Sequence, residues 1–491
     1  MDEGGSLHRK NRMHWLFGLL TLLWIVIFKW QSIPDQPIRV FPDFDGYALL
    51  ADSLAGRADY PHMEFVLPHG FSHLLNIVYF LVPGISERAL GLAFSILAGL
   101  VPLSIYLFFL RTVGPLLAFI LSFCYLASST TLRYEATLGT DTITSVLIAV
   151  ILIAVALSTL LVRDNHRQRP IWVHLAMGLI LLGVGTIKLQ YLPWAFILAG
   201  SILAAEIISR PPGTRWVQVV NVRKLSGLAL IVVPSLLYIM FLFGSNYLKE
   251  SYWGLSPLGP FNKLNYTGAI FKDYEPQSPL EDKIKHEIVA TIDEHGPICT
   301  LCAGKDMAII ESLDITPGEF FTILSRMNNR LIATHPEYFF STASTNALWL
   351  FCQDLKPDDD TSFAPGYLVR FAQSEKPWSA LSKFMSVVVP VDHPARQIAA
   401  GAFIFVFVLL CYRQSFHAQL TNLFIFLTVF YTVVAVAGSQ NAEMYRYRAP
   451  IQWMWISYMW WGGFMILLKV AGMIRQRNAP TSGFSETPHS S

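Results

Sequence analysis

Ten apolar stretches, near 13–30, 89–110, 113–128, 142–162, 172–187, 191–209, 226–244, 397–412, 420–438 and 453–470, constrain this chain more than any other feature. A helix needs roughly 17 to 25 residues to cross a hydrocarbon core about 30 Å thick, and inside lipid its backbone groups must be satisfied within the segment. The stretches at 113–128 and 172–187 lie at the short end of that range. The expected fold is an all-α polytopic membrane protein with about ten transmembrane helices. Composition agrees, because 53% of the 491 residues are hydrophobic and only 14% are charged, where an average soluble domain has about 25% charged. The net charge of +2, with no segment collecting the basic residues, argues against a nucleic-acid partner. Five cysteines are too few for a disulfide scaffold.

Orientation follows from Lys and Arg, which favour the cytoplasmic side. Clusters at Arg9–Arg12, Arg163–Arg169 and Arg210–Lys224 place both termini inside. Trp15 to Trp30 has no small-residue cleavage site after it and reads as a retained signal anchor. Four regions result: an N-terminal transmembrane module at 1–244 with its first outer loop at 31–88, an extracytoplasmic helical loop at 245–396, C-terminal transmembrane helices at 397–478, and a Ser/Thr/Pro-rich disordered tail at 479–491.

The first outer loop contains FPDFDGYALLADSLAGRADYPHMEF, residues 41–65. Asp43, Tyr47, Leu50 and Leu54 recur at helical spacing and form one stripe. Pro42 fits the first helical position, and Asp43 beside it meets the positive end of the helix dipole. Asp45 lies about 200° around the helix from Asp43 and points elsewhere. Residues 61–84 carry His62, His69 and His73 before an apolar run too short to cross, which predicts a second interfacial helix. In the large loop, KIKHEIVATIDEHG and PGEFFTILSRMNNRLIATHPEYFF show helical spacing and predict a helical cap. Cys299, Cys302 and Cys352 fall on the oxidising side, where disulfides form.

The remaining polar residues gather on one face. Glu135 and Asp141 precede the fourth span, Lys188 ends the fifth, and Arg446 and Arg448 precede the tenth. Each has a duller reading on its own: a helix cap for an Asp, a snorkelling anchor for Lys188, an aromatic and basic belt for Tyr445 to Arg448. Together with Asp43 and Asp45 they suit a phosphate-bearing lipid whose tail stays in the bilayer while its head group is handled outside.

PDFDGYALLADSLAG resembles the first-loop signature of the GT-C glycosyltransferase superfamily, with Asp43, Tyr47, Ala51 and Leu54 in its register. The acidic loop from Glu135 to Asp141, GVGTIKLQYLP and MYRYRAPIQ are similar to later segments of that family, in the expected order from residue 41 to about 455. The resemblance is to the branch of bacterial lipopolysaccharide-core sugar transferases and protein O-mannosyltransferases. Phe44 follows the first Asp where such enzymes often carry an acidic or small residue, so the register leaves open which acid is the base.

The resemblance implies an inverting transfer from a polyprenyl-phosphate-linked sugar to a hydroxyl of a glycan, lipid or protein, on the outer face of the plasma (bacterial inner) membrane. A hydroxyl nucleophile needs a base, for which Asp43 is expected, with Asp45 orienting it or holding a metal. Tyr47, Glu135, Asp141, Lys188, Arg446 and Arg448 are the expected substrate-binding residues, with the cations offsetting charge on the phosphate. His62 and His69 are further candidates. Mg or Mn held by carboxylates remains open as a cofactor. Two alternatives stand beside this reading: an outer-face glycan ligase or polymerase using diphosphate-linked donors, and a lipid-linked glycan flippase or transporter. The spans near 89–110, 142–162 and 226–244 carry no Asp, Glu, Lys, Arg or His, which disfavours a charged pathway.

Overall fold

The computed structural model describes residues 3–32, 39–40, 42–58, 65, 67–126, 137–162, 171–209, 222–296, 305–352, 393–411, 415–437 and 452–477. In chain order these form α1 (Glu3–Ser32), β1 (Arg39–Val40), α2 (Pro42–Leu54), α3 (His69–Leu81), α4 (Glu87–Leu97), α5 (Leu100–Val113), α6 (Pro115–Leu126), β2 (Thr137–Leu138) and α7 (Thr140–Val162). There follow α8 (Ile171–Ile187), a 3-10 turn (Leu189–Tyr191), α9 (Trp194–Ile208), α10 (Val222–Glu250), α11 (Leu258–Thr267), a second 3-10 turn (Gly268–Asp273), α12 (Pro279–His295), α13 (Lys305–Leu313) and α14 (Pro317–Thr334). The last elements are α15 (Pro336–Cys352), α16 (His393–Cys411), α17 (Phe416–Ala437) and α18 (Gln452–Arg477). The architecture is all-helical apart from one two-residue parallel pairing of β1 with β2.

Among the described residues four helical stretches are long and apolar enough to cross a membrane: Glu87–Leu110, Leu189–Ile208, Lys224–Glu250 and Phe416–Ala437. Shorter apolar helices run over Met13–Ile27, Thr142–Val155, Ile171–Ile187 and Ala400–Cys411. The stretch predicted as one span near 89–110 is broken at Ala98–Gly99, between α4 and α5. Pro102 accounts for the break, since its ring displaces the carbonyl four residues back and it has no N–H to offer. Its own carbonyl accepts a hydrogen bond from the Ser122 hydroxyl of α6 at 2.7 Å.

Three apolar clusters organise the packing. The largest joins α5 to α10 with α16, α17 and α18, through residues such as Phe109, Leu121, Trp194, Ile231, Ile425 and Trp461. Within it α8 crosses α10 closely, because a Cβ added at Gly178 would lie 2.4 Å from the Leu230 carbonyl oxygen. Pro234 lies four residues beyond Leu230 in α10 and cannot donate to that carbonyl.

The second cluster is the core of a helical cap built from α11 to α14 with Phe65 and Tyr252. Its buried carboxylate, Glu281, accepts from the Tyr274 hydroxyl at 2.7 Å and the Gln277 amide at 2.8 Å, and pairs with Arg330 at 3.3 Å. The cap sits on the end of α10, where a Cβ at Gly318 would meet the Glu250 carbonyl oxygen. Helix α15 packs against α16 and α17 and also meets the cap, where the Asn346 amide donates to the Tyr266 hydroxyl at 2.9 Å and the Phe339 ring lies 5.7 Å from that of Tyr266.

Candidate functional site

The third cluster gathers the elements that carry the predicted site residues. Phe44, Tyr47 and Ala51 of α2, Phe71 and Leu75 of α3, Leu90 and Phe94 of α4, Ile143 of α7 and Ile187 of α8 form one buried group. Several predicted residues are sequence neighbours of a member: Asp43 and Asp45 flank Phe44, His69 precedes Phe71 by two, Asp141 precedes Ile143 by two, and Lys188 follows Ile187, while Tyr47 is itself a member. Segments far apart in the chain thus meet in one apolar cluster.

Helix α2 begins at Pro42, as the Pro–Asp start predicts, and Asp43 is its second residue. Phe44, Tyr47, Leu50 and Ala51 are buried while Asp45 is exposed. The helix therefore turns the Tyr47 stripe inward, and Asp45 lies off it. Rings of Phe44 and Tyr47 meet Phe71 edge-on at 6.3 Å and 5.3 Å, a preferred arrangement of aromatic pairs. The Ser72 hydroxyl donates to the Tyr47 carbonyl at 2.8 Å, and Arg57 bridges Asp52 and Asn76. These bonds tie α2 and α3 into a unit.

The two-residue ladder sets the relative place of the two acidic segments. Arg39 pairs with Thr137 and Val40 with Leu138. Asp43 follows Val40 by three residues, and Asp141 follows Leu138 by three. Both acids are second residues of helices that start from neighbouring strand ends. Two helix N-termini therefore start side by side.

Lys188 closes the site from α8. It is 8% exposed, which does not fit a cation snorkelling into water. The chain turns there: the Tyr191 amide donates to the Lys188 carbonyl at 3.0 Å, and the Tyr431 hydroxyl of α17 donates to the Gln190 carbonyl at 2.8 Å. Gly70 of α3 sits against Thr186, so close that a Cβ would lie 2.4 Å from the threonine hydroxyl. His69 is half-buried and His73 exposed, their rings edge-on at 6.2 Å. Burial, aided by the charge of His69, pushes the His73 pKa below the ordinary histidine value.

His62, Glu135, Arg446 and Arg448 lie outside the described residues, as do the side chains of Asp43 and Asp141. So do Cys299, Cys302, the side chain of Cys352 and the tail from 479. Among the described residues no group of three or more His, Cys, Asp or Glu side chains converges. Sequence reasoning missed Gly70, Ser72 and Thr186, which join the elements; the small-residue run HGFS was the available signal. Comparison of the chain with protein-family models, characterised proteins and solved structures gives no match.

Proposed function

We propose that this chain is a membrane glycosyltransferase of GT-C type that moves a sugar from a polyprenyl-phosphate donor to a hydroxyl on a glycan, lipid or protein. In this reading all ten apolar segments cross the plasma membrane, both termini are cytoplasmic, and the site faces out. Asp43 takes the proton of the acceptor hydroxyl as its oxygen attacks the anomeric carbon. The bond from that carbon to the phosphate oxygen breaks on the opposite face, inverting the centre, and the lipid monophosphate leaves with the electron pair. Lys188 offsets the charge gained by that phosphate in a low-dielectric setting. Asp45 supports from the rim.

One observation supports this reading above the others: one apolar cluster joins residues of α2, α3, α7 and α8 that adjoin Asp43, Asp141 and the buried Lys188 in the chain. The test is an assay of the reconstituted full chain with a lipid-linked sugar. Asp43→Asn is expected to lose turnover by roughly 100- to 10,000-fold, the usual contribution of a positioned base, while still binding donor. Asp45→Asn is expected to retain measurable activity. An inactive Asp45→Asn beside an active Asp43→Asn inverts the assignment, and full activity in both removes the reading.

A further inference from the structure

The exposed stripe of α10 changes character along its length. Leu237, Met240, Phe241, Tyr247 and Leu248 are all more than half exposed and fall within about a third of the helix circumference at 100° per residue. The stripe is aliphatic near the middle of the helix and turns aromatic towards its end. Beyond that end the chain adds another ring. Ser251 takes a left-handed backbone, φ 54°, and the two residues after it go opposite ways: Tyr252 is buried in the cap core against Phe65, while Trp253 is 70% exposed. The Trp253 ring folds back on α10, 5.3 Å from Phe243 and 5.8 Å from Tyr247. The Asn246 amide fixes this return by donating to the Gly254 and Leu255 carbonyls at 2.8 Å and 3.1 Å. An exposed indole is thus held in one place.

We infer that Trp253, with Tyr247 and Phe243, is an interfacial anchor that seats the base of the helical cap in the head-group layer of a lipid bilayer. The inference rests on the reading of α10 as a membrane span, for which Lys224–Glu250 is long and apolar enough. Trp and Tyr gather where hydrocarbon gives way to head groups, because each joins an apolar ring to a polar tip. The order of residues along the stripe matches that boundary. Leu237 and Tyr247 are ten residues apart, about 15 Å at the helical rise, and this is about half the thickness of a hydrocarbon core. A bilayer centred near Leu237 therefore has its edge at Tyr247 and Trp253. A contiguous exposed apolar surface marks a contact, and no charged residue interrupts this one from Leu225 to Leu248. A bilayer follows such a stripe from the middle of a helix to its end by its own layering, whereas a protein partner has no need to. With Tyr252 in the cap core and Trp253 at the lipid boundary, two adjacent residues pin the cap to the membrane surface.

The test uses the full chain carrying fluorotryptophan, reconstituted in phosphatidylcholine nanodiscs and read by fluorine NMR. The Trp253 line is the one missing from Trp253→Phe, and Trp253→Tyr gives the assignment a second time. A nitroxide carried on the lipid near the head group is expected to broaden that line to the point of loss. A nitroxide at the end of the acyl chain and a gadolinium chelate in the water are each expected to broaden it less. Leu237→Trp, at an exposed position of the same stripe, supplies a reference line that is expected to respond most to the acyl-end nitroxide. A Trp253 line broadened most by the chelate puts the ring in water, one touched by no agent puts it under protein, and one broadened most at the acyl end puts it in hydrocarbon. Each of these overturns the anchor. The reference line separates the two readings. Where it answers to neither lipid nitroxide, α10 does not face lipid and the membrane reading falls, taking the anchor with it; where it responds as expected and Trp253 does not, the anchor alone fails.

Discussion

Helices α17 and α10 are both long, apolar and free of Asp, Glu, Lys and Arg over their central turns, yet they hold opposite places in the molecule. The protein covers 67% of the most apolar stretch of α17 and only 17% of that of α10. Their sequences carry the difference in their polar and small residues. Helix α17 holds Gln419, Thr421, Asn422, Thr428 and Thr432, all buried. The Gln419 amide donates to the Cys411 carbonyl, the Asn422 amide to the Phe407 carbonyl, and the Tyr458 hydroxyl to Asn422. Helix α10 has one narrow contact stripe, Gly227, Ile231 and Ser235, buried at spacing of four, and exposes Leu237, Met240 and Phe241. Lipid tails are as apolar as leucine, so helices associate through close packing of small residues and through hydrogen bonds between helices. A central helix shows this in side chains that need partners, and a peripheral one in a single narrow file, two of whose three members are small.

The contrast breaks most readily at the α8–α10 crossing. Gly178→Ala drives a methyl into the Leu230 and Ile231 carbonyls and is expected to cost about 1–3 kcal/mol, as overpacking does. Gly200→Ala in α9, where nothing lies within 4 Å, is expected to be neutral or to stabilise by up to about 1 kcal/mol. Unfolding in graded denaturant measures both, and equal effects would show that α10 does not dock through this stripe. Asn422→Leu keeps the volume of α17 but strands the Tyr458 hydroxyl and the Phe407 carbonyl. A loss of about 1–2 kcal/mol is expected, where Leu237→Ala on the exposed face of α10 is expected to stay within about 0.5 kcal/mol.

The smallest expected effect lies in the cap, where the buried polar group is an ion. Burial acts to raise the carboxyl pKa of Glu281, but the Gln277 amide, the Tyr274 hydroxyl, Arg330 and Arg326 outweigh it and hold the net value below the ordinary range. A depressed folded pKa means that the stabilisation is complete above the ordinary carboxylate pKa and is lost as pH falls through the folded value. Thermal unfolding of the wild type is therefore expected to weaken over that acidic window. Glu281→Gln is expected to flatten the acid dependence, and an unchanged slope would assign it to other carboxylates.

The apolar helices were legible because segment length and hydropathy do not depend on which neighbour a helix finds. The start of α2 was legible for a local reason too: Pro42 and Asp43 both prefer the first turn of a helix. What joins the candidate site was not. The β1–β2 ladder is two residues long, too short for any alternating pattern, and its partners lie almost a hundred positions apart. Lys188 is buried by tertiary packing, and two residues before it Thr186 meets Gly70 of another helix. The docking of α15 on both the cap and α16 and α17 is a tertiary choice that no local pattern announces.

Pro234 cannot donate to the Leu230 carbonyl, and Gly178 lets the backbone of α8 come up to it. The two helices are fastened backbone to backbone at that point. Lys188 lies ten residues from Gly178, about 15 Å at the helical rise, and Glu250 lies twenty residues from Leu230, about 30 Å. Glu250 carries the seat of the cap at Gly318. The seat of the cap is thus about twice as far along α10 from that contact as Lys188 is along the chain beyond Gly178.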